Sequence, residues 1–111
     1  MGTIIVKGKE VVLGENGYLA NLDDWNRDVA GYFAAEEGIR MSDRHWEVVN
    51  LLRDYYKRYQ IAPMIQLLVR EIGKKFGPEK GTTAYLEELF PEGPAKQACK
   101  IAGLPKPTGC L

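Results

Sequence analysis

The sequence predicts an α+β domain in which an N-terminal β-hairpin packs on a five-helix, helix-turn-helix-like core, followed by a flexible C-terminal arm. Three observations support this prediction. β-Branched residues form two short runs near the N-terminus, apolar residues recur at helical spacing through the middle of the chain, and prolines and glycines interrupt its end. We expect residues 1–103 to form one globular domain around a modest core and residues 104–111 to form a mobile arm.

The hairpin is predicted from residues 3–7 and 10–13, where valine and isoleucine are concentrated. Gly8 and Lys9 lie between the two runs. We expect these two residues to form the turn, because glycine readily adopts the positive φ that two-residue turns require.

Capping residues predict the first two helices. Asn21 is expected to cap a helix that Gly38 ends. Ser42 or Asp43 is expected to cap the longest helix, about residues 43–59, whose wide apolar face indicates a central position.

Three further helices are predicted in the same way. Pro63 is expected at the first position of the third helix, where its missing N–H costs nothing. Thr82 or Thr83 is expected to cap a short fourth helix. Pro94 is expected to open the last helix, and Gly103 to end it as a left-handed C-cap.

The composition is that of a soluble globular protein. No apolar run approaches the roughly 18–20 residues that span a bilayer, so we expect no membrane insertion. The N-terminus has no basic start followed by a long apolar run, so we expect no signal peptide and a cytoplasmic location. The net charge is zero, which provides no overall attraction to nucleic acid, so we do not expect nucleic acid as a partner.

The two cysteines are the candidate site. Cys110 lies on the arm, where Pro105 and Pro107 favour an extended path; a thiol there gains nothing from packing, so we expect it to be reactive. Cys99 shares one face of the last helix with three alanines, Ala95, Ala98 and Ala102. That thiol is either a small buried apolar residue or lies in a shallow groove that receives the returning arm. The arm is long enough for an internal link between Cys99 and Cys110.

Cations surround the two thiols in sequence. Lys96, Lys100 and Lys106 give the segment 93–111 a charge of +3, which balances −3 in residues 1–92. Positive charge favours the thiolate and attracts anionic sulfur species. We expect Gly103 and Gly109 to be the hinges of the arm.

Other types of site fit less well. Two cysteines and His45 fall short of a four-ligand zinc set, and His45 is predicted to be a capping or hydrogen-bonded histidine. The helices around Pro63 could belong to a redox-sensing winged-helix regulator. However, the second of them offers only Arg70, Lys74 and Lys75.

A set of motifs runs along almost the whole chain: Gly17-Tyr-Leu, Asn21-Leu, Trp25, His45-Trp46, Leu52-Arg53-x-Tyr55-Tyr56, Ile61-Ala-Pro63, Gly73-Lys-Lys75, Leu89-Phe-Pro91, Gly93-Pro-Ala-Lys-Gln-Ala-Cys99 and Gly103-Leu-Pro-Lys-Pro-Thr-Gly-Cys110. This pattern resembles the DsrC/TusE family. Within that family it is most similar to the DsrC branch, the gamma subunit-like proteins of dissimilatory sulfite reductase.

The resemblance implies a sulfur carrier and co-substrate of dissimilatory sulfite reductase rather than an enzyme. In this reading Cys110 takes up sulfur at the sirohaem site of the reductase α and β subunits, and Cys99 closes on it as an internal trisulfide. The carrier needs no cofactor of its own. Its further partners are a membrane-bound thiol/disulfide redox complex and other sulfurtransferases.

The alternative within the family is a TusE-like persulfide relay for tRNA 2-thiouridine synthesis. That branch typically keeps only the thiol equivalent to Cys110, so the presence of Cys99 favours the DsrC branch. The relay remains the second hypothesis, and the winged-helix regulator the third.

Overall fold

The computed structural model describes residues 2–14 and 17–105 and confirms the predicted α+β class. Two strands, β1 (Gly2–Val6) and β2 (Lys9–Leu13), form an antiparallel hairpin. Five α-helices follow in these ranges: α1 (Arg27–Glu36), α2 (Asp43–Tyr59), α3 (Ile65–Phe76), α4 (Thr83–Leu89) and α5 (Pro94–Ile101). Short 3-10 helices lie before α1 (Leu22–Asp24) and before α4 (Pro78–Lys80).

The turn of the hairpin is formed by Lys7 and Gly8, so the predicted Gly8-Lys9 turn was wrong by one residue. Both central residues have positive φ, 51° at Lys7 and 80° at Gly8, as a type I′ turn requires. The resulting register pairs Ile4 with Val11 and leaves the Val11 side chain fully buried. A shift of one residue would turn this apolar face to solvent, which outweighs the cost of positive φ at Lys7.

The first predicted helix is divided into two parts. Asn21 caps only a 3-10 turn, in which its side chain accepts a hydrogen bond from the Asp23 N–H. Asn26 then caps α1 through a 2.9 Å bond from the Val29 N–H. Between them, Trp25 has an extended backbone, which separates the turn from the helix. The prediction missed the break because Asn26 provides a second cap within the same apolar stripe.

The predicted bounds of the central helix α2 are confirmed, and α2 packs against α3 and α5. The start of α3 differs from the prediction. Met64, with ψ of 157°, precedes the helix as an extended residue, so Pro63 lies two positions before Ile65 rather than at the first helical position. Met64 is therefore one extended residue between Pro63 and the start of α3.

Several predicted caps are confirmed. Gly38 follows α1 with φ of 71°, and the next amide, that of Ile39, bonds back to the Ala34 carbonyl at 2.8 Å. Thr82 caps α4 by accepting a hydrogen bond from the Tyr85 N–H. The longest helix has 17 residues. Within the ranges that the structure describes, no helix is both long enough and apolar enough to cross a membrane.

His45 is the capping histidine that the sequence predicted. Its Nδ1 accepts a hydrogen bond from the Ser42 N–H at 3.1 Å, and its Nε2 lies 2.8 Å from the Leu89 carbonyl oxygen. A carbonyl only accepts, so Nε2 is the donor in this contact. The ring also packs edge-on against Phe90, with centroids 5.2 Å apart. His45 therefore joins the start of α2 to the end of α4.

His45→Ala is expected to lower the free energy of unfolding by about 3 kcal/mol. The change leaves the Leu89 carbonyl without its donor and removes the aromatic contact with Phe90. The control is Asn26→Ala, which removes one cap bond at α1 and is expected to cost about 1 kcal/mol. Urea denaturation of both variants measures the difference; equal losses would mean that His45 acts only as a cap.

Candidate functional site

Cys99 lies in the domain interior on α5. The four residues predicted to share one face of this helix, Ala95, Ala98, Cys99 and Ala102, are all buried, and Cys99 is 1 % exposed. α5 starts at Pro94, as predicted, and packs against α1, α2 and α4. Burial agrees with both hypotheses for this thiol. The groove hypothesis involves the returning arm, whose residues 106–111 lie outside the described residues.

A polar network joins α5 to the end of α1. Glu37 follows α1, and its carboxylate accepts hydrogen bonds from Gln97 Nε2 at 3.1 Å and from Lys100 Nζ at 3.5 Å. Gln97 is 2 % exposed, and its Oε1 accepts a bond from the Glu92 N–H. The positive charge that was predicted beside Cys99 is therefore paired, at Lys100, with the carboxylate of Glu37.

Tyr18 lies over the same helix. Its hydroxyl donates a 3.3 Å hydrogen bond to the carbonyl of Lys96, one turn before Cys99. Burial, followed by the charges of Cys99 and Glu37, raises the pKa of Tyr18 from 10.0 to about 12. The Tyr18 phenol and the Glu37 carboxylate therefore both lie along the part of α5 that carries Cys99.

The raised pKa of Tyr18 predicts an alkaline loss of stability. The folded state holds the phenol proton more tightly, so the contribution is complete below pH 10 and is lost as the pH rises towards 12. We expect the free energy of unfolding of the wild type to fall more steeply across this interval than that of Tyr18→Phe. Ultraviolet titration of Glu37→Gln should show a lower Tyr18 pKa, since one of its causes is removed. Parallel stability curves for wild type and Tyr18→Phe would contradict the assignment.

The chain reverses direction at the end of α5. Gly103 has φ of 73° and is the left-handed cap that the sequence predicted. Its N–H bonds to the Lys100 carbonyl, and the N–H of Leu104 bonds to the carbonyl of Cys99 at 3.0 Å. Leu104 is 1 % exposed, so this residue, predicted to begin the arm, packs with the core.

The predicted site residues are divided between described and undescribed parts of the chain. Cys99, Lys96, Lys100 and Gly103 are described. Cys110, Lys106 and Gly109 lie outside the described residues, so the roles assigned to them remain predictions. Of the three lysines, Lys100 is brought to the polar network of Glu37, whereas the Lys96 side chain is exposed.

Sequence reasoning missed four residues around α5: Tyr18, Trp25, Glu37 and Arg53. Tyr18, Trp25 and Arg53 were quoted only as parts of family motifs, and nothing local marks what they contact. Glu37 carries no signal at all, since an acidic residue after a helix is usually solvated. Each contact spans 49 or more residues of sequence, so only the fold reveals it.

The described ranges contain no group of three His, Cys, Asp or Glu side chains that could hold a metal ion. His45 uses both ring nitrogens within the fold. On α3, the Lys74 ammonium lies 3.7 Å from the Glu71 carboxylate, which reduces the positive charge offered to a nucleic acid. The winged-helix hypothesis gains no support from these contacts.

Comparison with known proteins links this architecture to sulfur transfer. The family model for DsrC-like proteins matches residues 5–111. Sulfurtransferase TusE of Escherichia coli (strain K12) is 48 % identical over 108 residues, covering 97 % of this chain and 99 % of that protein. The Sulfurtransferase TusE homolog of Haemophilus influenzae is 48 % identical over 106 residues, covering 96 % and 97 %.

Solved structures show the same fold. The NMR structure of Allochromatium vinosum DsrC superposes with a TM-score of 0.90 at 52 % identity, covering 98 % of this chain and 97 % of that chain. The crystal structure of the oxidised gamma subunit of dissimilatory sulfite reductase from Archaeoglobus fulgidus gives 0.88 at 40 % identity, covering 99 % and 100 %. Proteins named TusE and proteins named DsrC therefore both match this chain over nearly its full length.

Proposed function

The chain belongs to the DsrC-like family, and on this premise we propose that it is a sulfur carrier that accepts a persulfide sulfur on Cys110 and passes it to another protein. The observation that carries the proposal is the extent of the similarity. Relatives named sulfurtransferases cover 97 % of the chain, and the family match includes both cysteines. Such a carrier is a co-substrate that is loaded and unloaded in each cycle, rather than a catalyst.

The loading step needs only thiol chemistry. The Cys110 thiolate attacks the outer sulfur of a donor protein's persulfide, a sulfur–sulfur bond forms on Cys110, and the donor leaves as a thiolate. Cys110 then holds a persulfide, with no external oxidant or cofactor required. Positive charge from Lys106 would favour the thiolate form of Cys110.

Cys99 has a second role in this proposal. When no acceptor protein removes the sulfur, the Cys99 thiolate attacks the inner sulfur of the Cys110 persulfide, which gives a Cys99–Cys110 disulfide and releases hydrosulfide. Reduction of the disulfide by a separate thiol/disulfide system restores the carrier.

The names of the relatives favour a persulfide relay, in which the donors and acceptors are other sulfurtransferases and the sulfur is used for tRNA thiolation. The second candidate is a co-substrate of dissimilatory sulfite reductase, loaded at its sirohaem site and reset by a membrane-bound redox complex. Two observations favour it: the sequence contains Cys99 in addition to Cys110, and the chain is 52 % identical to a DsrC of known structure. Both functions imply a cytoplasmic carrier.

The proposal is tested by offering the protein a persulfide-bearing sulfurtransferase and weighing it by intact-mass spectrometry. After a brief exposure, before Cys99 attacks the persulfide, we expect the wild type to have gained one sulfur atom per chain, in a form that cyanide or a reducing thiol removes. Protein whose thiols were alkylated beforehand is the control. Failure of the wild type to gain sulfur would refute the relay, and gain of sulfur only from sulfite reductase turning over sulfite would support the second candidate.

A further inference from the structure

A groove lies between α2 and α3, in a part of the domain that the proposed function does not use. Its volume is about 390 Å³, and four of its lining side chains are apolar or aromatic: Leu51, Tyr55, Tyr59 and Leu67. The lining residues fall within 51–59 on α2 and 67–75 on α3. Eight residue steps of helix rise by about 12 Å, so the groove is long enough for about two turns of a partner helix.

The apolar surface continues from the groove onto the α2–α3 connection, residues 60–64. Among the residues that the structure describes, five large apolar side chains are exposed, and three of them are Tyr59, Ile61 and Met64. Their exposed fractions are 57 %, 60 % and 54 %. Tyr59 belongs to both sets, since it also lines the groove. Exposed apolar residues that cluster in this way are typical of a surface that binds another protein.

The surface around the groove is basic. Residues 54–75 contain five lysines and arginines and two acidic residues, which gives +3, whereas the rest of the neutral chain carries −3. Two of these cations, Arg58 and Lys75, line the groove itself. A partner that carries acidic side chains beside its apolar ones would match this surface in charge.

The same residues favour a protein over a nucleic acid as the partner. Binding of a nucleic acid depends mainly on cations that contact phosphates. Here two carboxylates, Asp54 and Glu71, also line the groove, and they would repel phosphates. The leucines of the groove and the exposed Ile61 and Met64 offer a phosphate no contact, but they match the apolar face of a helix.

We propose that the groove between α2 and α3 is a docking site for an acidic amphipathic helix of a partner protein. Apolar side chains of that helix lie in the groove against Leu51, Tyr55 and Leu67. Its acidic side chains, beside the apolar ones, pair with Arg58 and Lys75. The inference goes beyond the proposed function and does not use either thiol.

The test is a titration of the full-length protein, with its thiols kept reduced, observed through its backbone amide signals in NMR. The probe is a synthetic helical peptide of about 15 residues with leucine along one face, glutamate on both sides of it and alanine elsewhere. We expect the largest shifts at groove residues such as Tyr55, Tyr59 and Leu67. The same peptide with lysine in place of glutamate should bind at least about fivefold more weakly.

Two double variants remove the proposed contacts, and each has a matched control. Tyr59→Thr/Met64→Thr should weaken binding of the glutamate peptide about tenfold. Ile5→Thr/Val12→Thr, which removes the other two exposed apolar side chains, should leave binding unchanged. Arg58→Gln/Lys75→Gln should weaken binding about fivefold, the effect of two exposed ion pairs. Lys7→Gln/Lys9→Gln, at two exposed lysines of the hairpin, should not change it.

Three results would overturn the proposal. The first is that the glutamate peptide causes no shifts at the groove, and the second is that the lysine peptide binds equally well. The third is that an RNA hairpin shifts the same amides at a lower concentration than the peptide does, which would make the surface a nucleic-acid site. The titration uses no sulfur donor, so its failure is distinct from failure of the carrier function.

Discussion

Cys110→Ala is expected to abolish the uptake of persulfide sulfur, whereas Cys99→Ala is expected to retain it. Cys99 is 1 % exposed, so a donor protein cannot bring its persulfide to this thiol directly. Nucleophilic attack requires an accessible thiolate, and the proposed function assigns this role to Cys110. Intact-mass spectrometry after incubation with a persulfide donor measures the loaded fraction of each variant.

The two variants also separate the roles of the thiols. In Cys99→Ala the persulfide on Cys110 has no internal thiol to attack it, so it should persist until a small thiol from outside removes the sulfur. In the wild type the same persulfide should decay to the internal disulfide with release of hydrosulfide. Loading of Cys110→Ala to the wild-type level would contradict the assignment of Cys110, and equal persistence in Cys99→Ala and the wild type would contradict the role of Cys99.

Gly103→Ala is expected to lower the free energy of unfolding by about 3 kcal/mol. Alanine is strained at a positive φ, here 73°. Its Cβ would also overlap Trp25, 2.5 Å away, and crowd Leu19, 3.1 Å away. Gly38 is a matched control, because its φ is 71° and nothing lies within 4 Å of its Cβ position. Gly38→Ala should therefore cost only about 1 kcal/mol.

Chemical denaturation of the two alanine variants decides whether the Gly103–Trp25 contact is tight. Equal losses at Gly103 and Gly38 would mean that Trp25 moves aside easily. The same indole ring stacks on Arg53 of α2, so we expect it to resist displacement.

The helix ends that were predicted well depend on interactions between near neighbours. Ser42 with His45, Thr82 with Tyr85, and Pro94 at the start of α5 all act within one turn of helix. Local bonds of this kind leave a recognisable pattern of residue types in the sequence. The α+β class follows from the same local patterns.

The wrong boundaries have tertiary causes. The hairpin turn lies one residue earlier than predicted, because burial of Val11 sets the register of the strands and the glycine alone does not. The first helix is interrupted at Trp25, whose indole donates to the Ile101 carbonyl 76 residues away. Neither cause can be read from neighbouring residues.

The candidate site was predicted in part. The sequence placed Cys99 on a face of small residues, and in the structure this face is buried. The sequence assigned Lys100 to the positive charge around the two thiols, but in the fold this lysine forms an ion pair with Glu37. The partner could not be predicted, because the contact joins the end of α1 to α5 across 63 residues.

The most direct test of the central claim is to locate the transferred sulfur by peptide mass spectrometry. Trypsin cuts after Lys96 and Lys100 and spares the Lys106–Pro107 bond, so Cys99 and Cys110 fall in separate peptides, 97–100 and 101–111. After brief exposure to a persulfide donor and alkylation, we predict one extra sulfur atom on peptide 101–111. An extra sulfur found on peptide 97–100, with peptide 101–111 unchanged, would contradict the assignment of Cys110 as the sulfur-accepting thiol.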